Sequence, residues 1–194
     1  RTLSGHGDIV TGALEFWDGR ILSWSDDGTL RLWDADGTAA RTLEGHSASV
    51  TGALVLRDGR LLSWSVDGTL RMWSADGVPE RTLEGHGARV NGALALRDGR
   101  LLSWSWDMTL RMWSGDGAPL GTLEGHRDSV TGALALGDGR LVSWSWDGTL
   151  RMWSADGAPE RTLEGHRNWV TRAQALADGR LLSWSDDGTL RLWS

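Results

Sequence analysis

A 40-residue pattern recurs five times in this chain. RTLSGH begins at Arg1, RTLEGH at Arg41, Arg81 and Arg161, and GTLEGH at Gly121, with no slippage of the period. Each copy closes on a related run: SWSDDGTLRLW, SWSVDGTLRMW, SWSWDMTLRMW, SWSWDGTLRMW and SWSDDGTLRLW. A repeat of this length restricts the chain to an array of small units. None can bury its apolar face alone, so neighbours must stack to make a core. A feature present in every copy is then architecture, and function belongs where the copies differ.

The copy at Arg41 shows its own topology. Val50–Leu56, Arg60–Ser65 and Thr69–Trp73 are short apolar-rich runs, and Val78–Leu83 is a weaker fourth that crosses into the next copy. They have strand length and are too short for typical helices. Asp58-Gly59, Asp67-Gly68 and Asp76-Gly77 separate them. Asp-Gly between apolar runs is a strong hairpin signal, because Gly accepts positive φ and Asp bonds its own backbone. The result is an all-β chain of four-stranded antiparallel meanders, five in number, which reads as a β-propeller with each sheet a blade. Residues 1–194 form one such domain with no room for a linker. The chain opens on RTL, a fourth-strand sequence, and stops at Trp193-Ser194, just after a third strand. Arg1–Ser4 is therefore expected to complete the last blade in a Velcro-type closure. Five blades closing alone, joining a larger array or completing a ring with other chains all fit. Unpaired strands or blade faces would favour self-association.

Composition removes several function classes. The formal charge is −6, and all 20 cations are arginine without a basic run, so neither nucleic acid nor an anionic membrane is an expected partner. Cysteine is absent, which removes disulfides and thiolate metal sites. No cofactor or metal is expected. No apolar run approaches the ~18 residues of a membrane span, and no signal peptide is visible, so a cytoplasmic location is expected.

The GH, the three-hairpin spacing and the Ser-x-Ser-x-Asp-Gly-Thr-x-Arg-x-Trp run resemble the WD-repeat (WD40) β-propeller family over the whole chain. The resemblance implies that a His, a Ser, a turn Asp and the Trp form a buried hydrogen-bonded tetrad in each blade. By position the tetrads are His6, Ser23, Asp27 and Trp33; His46, Ser63, Asp67 and Trp73; His86, Ser103, Asp107 and Trp113; His126, Ser143, Asp147 and Trp153; and His166, Ser183, Asp187 and Trp193. Ser, His and Asp are also the hydrolase triad, but five equivalent framework copies fit structure rather than catalysis. No catalytic residue is assigned. Asp34-Ala-Asp36-Gly37 lacks the downstream Glu of a calcium loop and reads as a turn.

The chain departs from its family at Trp24, Trp64, Trp104, Trp144 and Trp184, where a small residue is usual. A two-residue Asp18-Gly19 turn places Trp24 opposite Ala13, and a three-residue turn places it opposite Gly12; either neighbour is small enough to accommodate an indole. The end repeats are atypical. Glu15, Phe16 and Trp17 mark the first, and Arg172 and Gln174 replace Gly and Leu in the fifth. Met108 replaces a turn glycine at a cost of roughly 1 kcal/mol if φ is positive.

Two sets of positions vary most: the residue before the turn Asp (Asp26, Val66, Trp106, Trp146, Asp186) and the triplet after GH. The resemblance places both on one loop rim. Arg89, Trp106, Arg127, Trp146, Arg167 and Trp169 form the candidate partner-binding arc, since Trp and Arg are enriched at binding hot spots. The leading expectation is a non-catalytic scaffold that binds peptides or protein partners on this rim. Alternatives are a carbohydrate-binding, lectin-like propeller, a hydrolase using Glu15, and an excised or designed fragment that assembles into a larger ring without activity of its own.

Overall fold

A computed structural model describes the whole chain, Arg1–Ser194, as strands and turns without a helix. Two compact units are present, Arg1–Val90 and Asn91–Ser194. The first unit holds two antiparallel sheets. One is β1 (Val10–Glu15), β2 (Ile21–Ser25), β3 (Leu30–Trp33) and β4 (Ala39–Leu43); the other is β5 (Val50–Val55), β6 (Leu61–Ser65), β7 (Leu70–Trp73) and β8 (Pro79–Leu83). The second unit holds the rest, apart from Val90 at the start of β9. Its sheets are β9 (Val90–Ala95), β10 (Leu101–Ser105), β11 (Leu110–Trp113) and β12 (Pro119–Leu123); β13 (Val130–Ala135), β14 (Leu141–Ser145), β15 (Leu150–Trp153) and β16 (Pro159–Leu163); and β17 (Val170–Ala175), β18 (Leu181–Ser185) and β19 (Leu190–Trp193). Every sheet is a meander in chain order, so these are five propeller-like blades.

The turns set the register. Trp17, Asp18 and Gly19 make a three-residue turn closed by the Phe16 N–H on the Arg20 carbonyl at 2.8 Å, with Gly19 at φ 86°. Three residues, rather than two, put Gly12 opposite Trp24 and Ala13 opposite Ser23, and a bulge at Thr11 restores the pairing of Val10 with Ser25. The second and fourth blades repeat this, with Gly52 opposite Trp64 and Gly132 opposite Trp144. The fifth has Arg172 opposite Trp184.

Alternation along the strands gives each sheet two different faces. Leu22, Leu30, Leu32 and Leu43 of the first sheet share one buried cluster with Val50, Leu61 and Trp73 of the second. In the second unit, Leu102, Leu110, Met112 and Leu123 meet Val130, Leu141 and Trp153. Val142, Leu150 and Leu163 meet Val170 and Leu181 in turn. Each fully buried leucine contributes about 1.5–3 kcal/mol, so stacking rather than any single sheet makes the core. The outer faces lack this cover. Val10 is 52% exposed, whereas Val50, Val90, Val130 and Val170 are 0% exposed. Leu190 is 67% exposed, and Leu30, Leu70, Leu110 and Leu150 are 0% exposed.

The expected Velcro strand is not formed. The fifth sheet has three strands, and residues 1–4 adopt no strand. Local contacts in the first unit hold this segment instead. The Arg1 guanidinium donates to the Asp36 carbonyl, and Leu3 lies against Gly37, where a Cβ would stand 2.8 Å from Leu3 Cδ2.

Candidate interaction surface

The repeated polar residues form a directional chain within each blade. In the second, the Trp73 indole N–H donates to Ser63 Oγ at 2.9 Å, Ser63 Oγ lies 2.9 Å from His46 Nε2, and His46 Nδ1 lies 2.9 Å from Asp67 Oδ2. A carboxylate can only accept, so Nδ1 carries the proton and Nε2 accepts the serine hydroxyl. The same links join His6, Ser23, Asp27 and Trp33. They also join His126, Ser143, Asp147 and Trp153, and His166, Ser183, Asp187 and Trp193. In the third blade Trp113 donates to Ser103 at 2.9 Å, Asp107 accepts from Thr109, and His86 is buried.

Burial and hydrogen bonding pull on these groups in opposite directions. For Asp67 burial pushes the carboxyl pKa up, but donors from Thr69, His46 and the Ser47 N–H outweigh it and hold it below 3.8. Asp27 and Asp147 are depressed in the same way. Burial lowers the His46 pKa from 6.5 against the opposing pull of Asp67, so its imidazole is neutral. Although this order of Ser, His and Asp matches a hydrolase triad, Ser63 is buried and already accepts an indole N–H. A nucleophile needs access to a substrate carbonyl, and this hydroxyl has none.

The two variable sets meet on the same side of the first, second, fourth and fifth blades. The Val66 N–H donates to the Ser49 carbonyl at 2.9 Å, Trp146 to Ser129 at 3.1 Å and Asp186 to Trp169 at 3.0 Å. They also link neighbouring blades, which sequence reasoning missed. Ser49 Oγ donates to Asp26 Oδ1 of the preceding blade. Trp146 stacks on Trp169 of the following blade at 4.5 Å between centroids and 20° between planes. Both pairs are separated by 23 residues, so comparing that offset across the five copies would have shown the link. Trp106 extends the stack, 5.8 Å from Trp146 with the planes at 45°. Three indoles from three blades thus form one run, with Trp106 44% and Trp169 43% exposed. Arg127 and Arg167 are exposed in the same loops as their backbone N–H groups bind Asp147 and Asp187. Arg89 belongs to the first unit and is half-buried. No group of three or more His, Asp or Glu side chains is arranged to hold a metal ion.

The family model described as WD domain, G-beta repeat matches residues 1–34, 37–74, 77–114, 117–154 and 157–194. The chain belongs to the WD40 family. WD40 propellers generally act as protein-interaction scaffolds and are typically non-catalytic. Among solved structures, the chain is similar to the crystal structure of the WD40 beta propeller domain of Doa1, at a TM-score of 0.77 and 29% identity. That match covers 99% of this chain and 66% of the other, so this WD40 chain spans just under two thirds of the neighbour's length. No curated protein matches it.

Proposed function

We propose that the chain is a non-catalytic scaffold that binds peptides or protein partners on the loop rim, with the Trp106–Trp146–Trp169 run as its main contact. The observation that carries this reading is the stack itself. Indoles from three blades lie side by side at positions where other copies carry Asp, Val, Ile, Ser or Arg, and two of the three are more than two-fifths exposed. Rigid, partly exposed aromatics present large contact area at small entropic cost, and neighbouring guanidinium groups of Arg127 and Arg167 add directional donors. Arg89 extends the same class of position into the first unit. A repeating lectin would carry an equivalent pocket in every blade, whereas this stack occurs once, which favours a protein or peptide partner over a glycan.

A pull-down from source lysate with wild type and a Trp106→Ala/Trp146→Ala double variant tests the assignment. Loss of bound proteins in the variant is expected. Identical partner profiles would remove the Trp run as the contact.

A further inference from the structure

We propose that the second unit carries a separate peptide site: a cleft between β12 and the Asp156-Gly157 hairpin that takes an arginine side chain from a partner, where other copies of the repeat supply their own. The cleft holds about 230 Å³ and is walled by Met112, Leu120 and Leu123 of the third blade and by Asp156 and Gly157 of the fourth. Both blades belong to the second unit. The turns that frame the cleft join β9 to β10 and β15 to β16, at the opposite end of each meander from the turns bearing Trp106 and Trp146. The site is therefore distinct from the indole run.

A missing side chain opens it. Position 121 is glycine, and its counterparts are Arg1, Arg41, Arg81 and Arg161. In the first unit Arg41 and Leu43 both lie on the hairpin glycine of the following blade. A Cβ on Gly77 would stand 3.0 Å from Arg41 Cδ and 2.8 Å from Leu43 Cδ1. At the matching Gly157 the nearest atoms all belong to Leu123, with Cδ1 at 3.0 Å, and a Cβ on Gly121 would meet nothing within 4 Å. The leucine of the pair is kept and the arginine is gone. Leu120, 54% exposed, enlarges the apolar wall where other copies have Ala40, Glu80 and Glu160.

Charge selects the occupant. The charged groups at the cleft are Arg100, Asp156 and, behind Arg100, Asp98. Arg100 is already engaged. Its Nε donates to Asp98 at 2.7 Å, and its terminal nitrogens donate to the Ala155 carbonyl and to Met112 Sδ, both at 2.9 Å. Asp156 lies 3.5 Å from Arg100, and its side chain is 95% exposed. Two carboxylates against one guanidinium leave a negative charge beside an apolar wall. That combination fits an arginine, whose stem covers apolar surface while its head reaches a carboxylate.

The first unit shows that a second cation is accommodated there. Arg20 bonds Asp18 and the Ala75 carbonyl and lies 3.9 Å from Asp76, the same set of partners that Arg100 finds in Asp98, Ala155 and Asp156. Arg41 still lies on Gly77 beside them. The arginine for the empty place is carried by a peptide rather than free. Free arginine would bring its own carboxylate toward Asp156, and like charges repel; flanking peptide amides are neutral.

Titration of the 194-residue chain with the peptide acetyl-Ala-Arg-Ala-amide, followed by NMR at the Gly121 and Gly157 amides, tests the proposal. Saturable shifts are expected, with a Kd on the order of 1 mM for one side chain in an open cleft. The same peptide with neutral citrulline in place of arginine should bind about tenfold more weakly, as should free arginine. Asp156→Asn should weaken binding about twofold to fivefold, the range for an exposed ion pair. Gly121→Arg restores the residue of the other copies, so it should keep the fold and its melting temperature while abolishing the shift at Gly157. Trp106→Ala/Trp146→Ala should bind the peptide like wild type, because the indole run lies elsewhere. Unshifted Gly121 and Gly157 amides, equal binding of the citrulline peptide, or undiminished binding by Gly121→Arg each overturn the proposal. Free arginine binding as tightly as the peptide overturns the peptide assignment.

Discussion

Gly52 and Trp64 face each other across β5 and β6 so closely that a Cβ on Gly52 would overlap Trp64 Cζ2. The same approach recurs at Gly12 with Trp24, Gly92 with Trp104 and Gly132 with Trp144. Only the absent side chain leaves space for the indole. Gly52→Ala is therefore expected to cost about 2–3 kcal/mol, the upper range for overpacking a core. In a Trp64→Val background the penalty should fall below about 1 kcal/mol, since the obstructing ring is gone. Urea unfolding of the four proteins supplies the cycle. An equal penalty in both backgrounds would mean that the ring is not the cause.

Met108 has φ 69°, the one non-glycine residue with positive φ. Gly28, Gly68, Gly148 and Gly188 fill the same turn position at 79–80°. An L-residue there is strained, and at Gly28 a Cβ would also meet the His46 carbonyl at 3.1 Å. Met108 is 45% exposed, so it offsets little of that strain by burial. Met108→Gly should raise stability by about 1 kcal/mol, read as a higher denaturant midpoint at unchanged slope. A lower midpoint would show that the side chain contributes packing.

Removing one tetrad member strands the others. His46→Ala leaves the Ser63 hydroxyl without its acceptor and Asp67 without one of its donors, both in a buried setting. The expected loss is about 1–3 kcal/mol, against roughly 0.5 kcal/mol or less for exposed Arg57→Ala. Equal melting temperatures for the two variants would reduce the tetrad to packing.

Acid should destabilise the fold in two steps. His46 has a folded pKa below its ordinary 6.5, so the unfolded chain binds that proton more readily. Its contribution is whole above 6.5 and is lost as pH falls toward the folded value. Asp67 and Asp147 are likewise held below 3.8. Their contribution is present above 3.8 and disappears as pH falls through the depressed range. The melting temperature should decline from about 6.5 downward and more steeply below 3.8. His46→Ala should flatten the first step and, by removing one donor to Asp67, soften the second. A melting temperature that rises on acidification through 6.5 contradicts the assignment.

The sheets, their turns and the hydrogen-bonded tetrads of the first, second, fourth and fifth blades were legible because each depends on local chemistry repeated along the chain. Asp-Gly pairs fix the turns, and alternation fixes the faces. The opposition of Gly12 and Trp24 was legible only as one of two alternatives, because a single turn residue shifts the pairing by one and spacing alone does not count it. The N-terminal closure was misread for a different reason. RTL has the sequence of an outer strand, but a strand needs a paired edge as well as a face to lie on; Leu3 lies against Gly37 as Leu43 lies against Gly77, and residues 1–4 form no strand. The Trp146–Trp169 stack joins two blades; each position looked variable by itself, and only their common offset of 23 residues links them.

The one-way hydrogen bonding of the tetrads gives every blade its own clock. Each of Trp33, Trp73, Trp113, Trp153 and Trp193 holds its indole proton on a serine of the same sheet. Exchange of that proton with solvent requires the blade to open, so five resolved indole signals time five local openings in one molecule. Trp193 is the least buried of the five, and it should exchange first. The order in which the remaining four follow would trace how loosening travels along a chain whose parts are otherwise nearly alike.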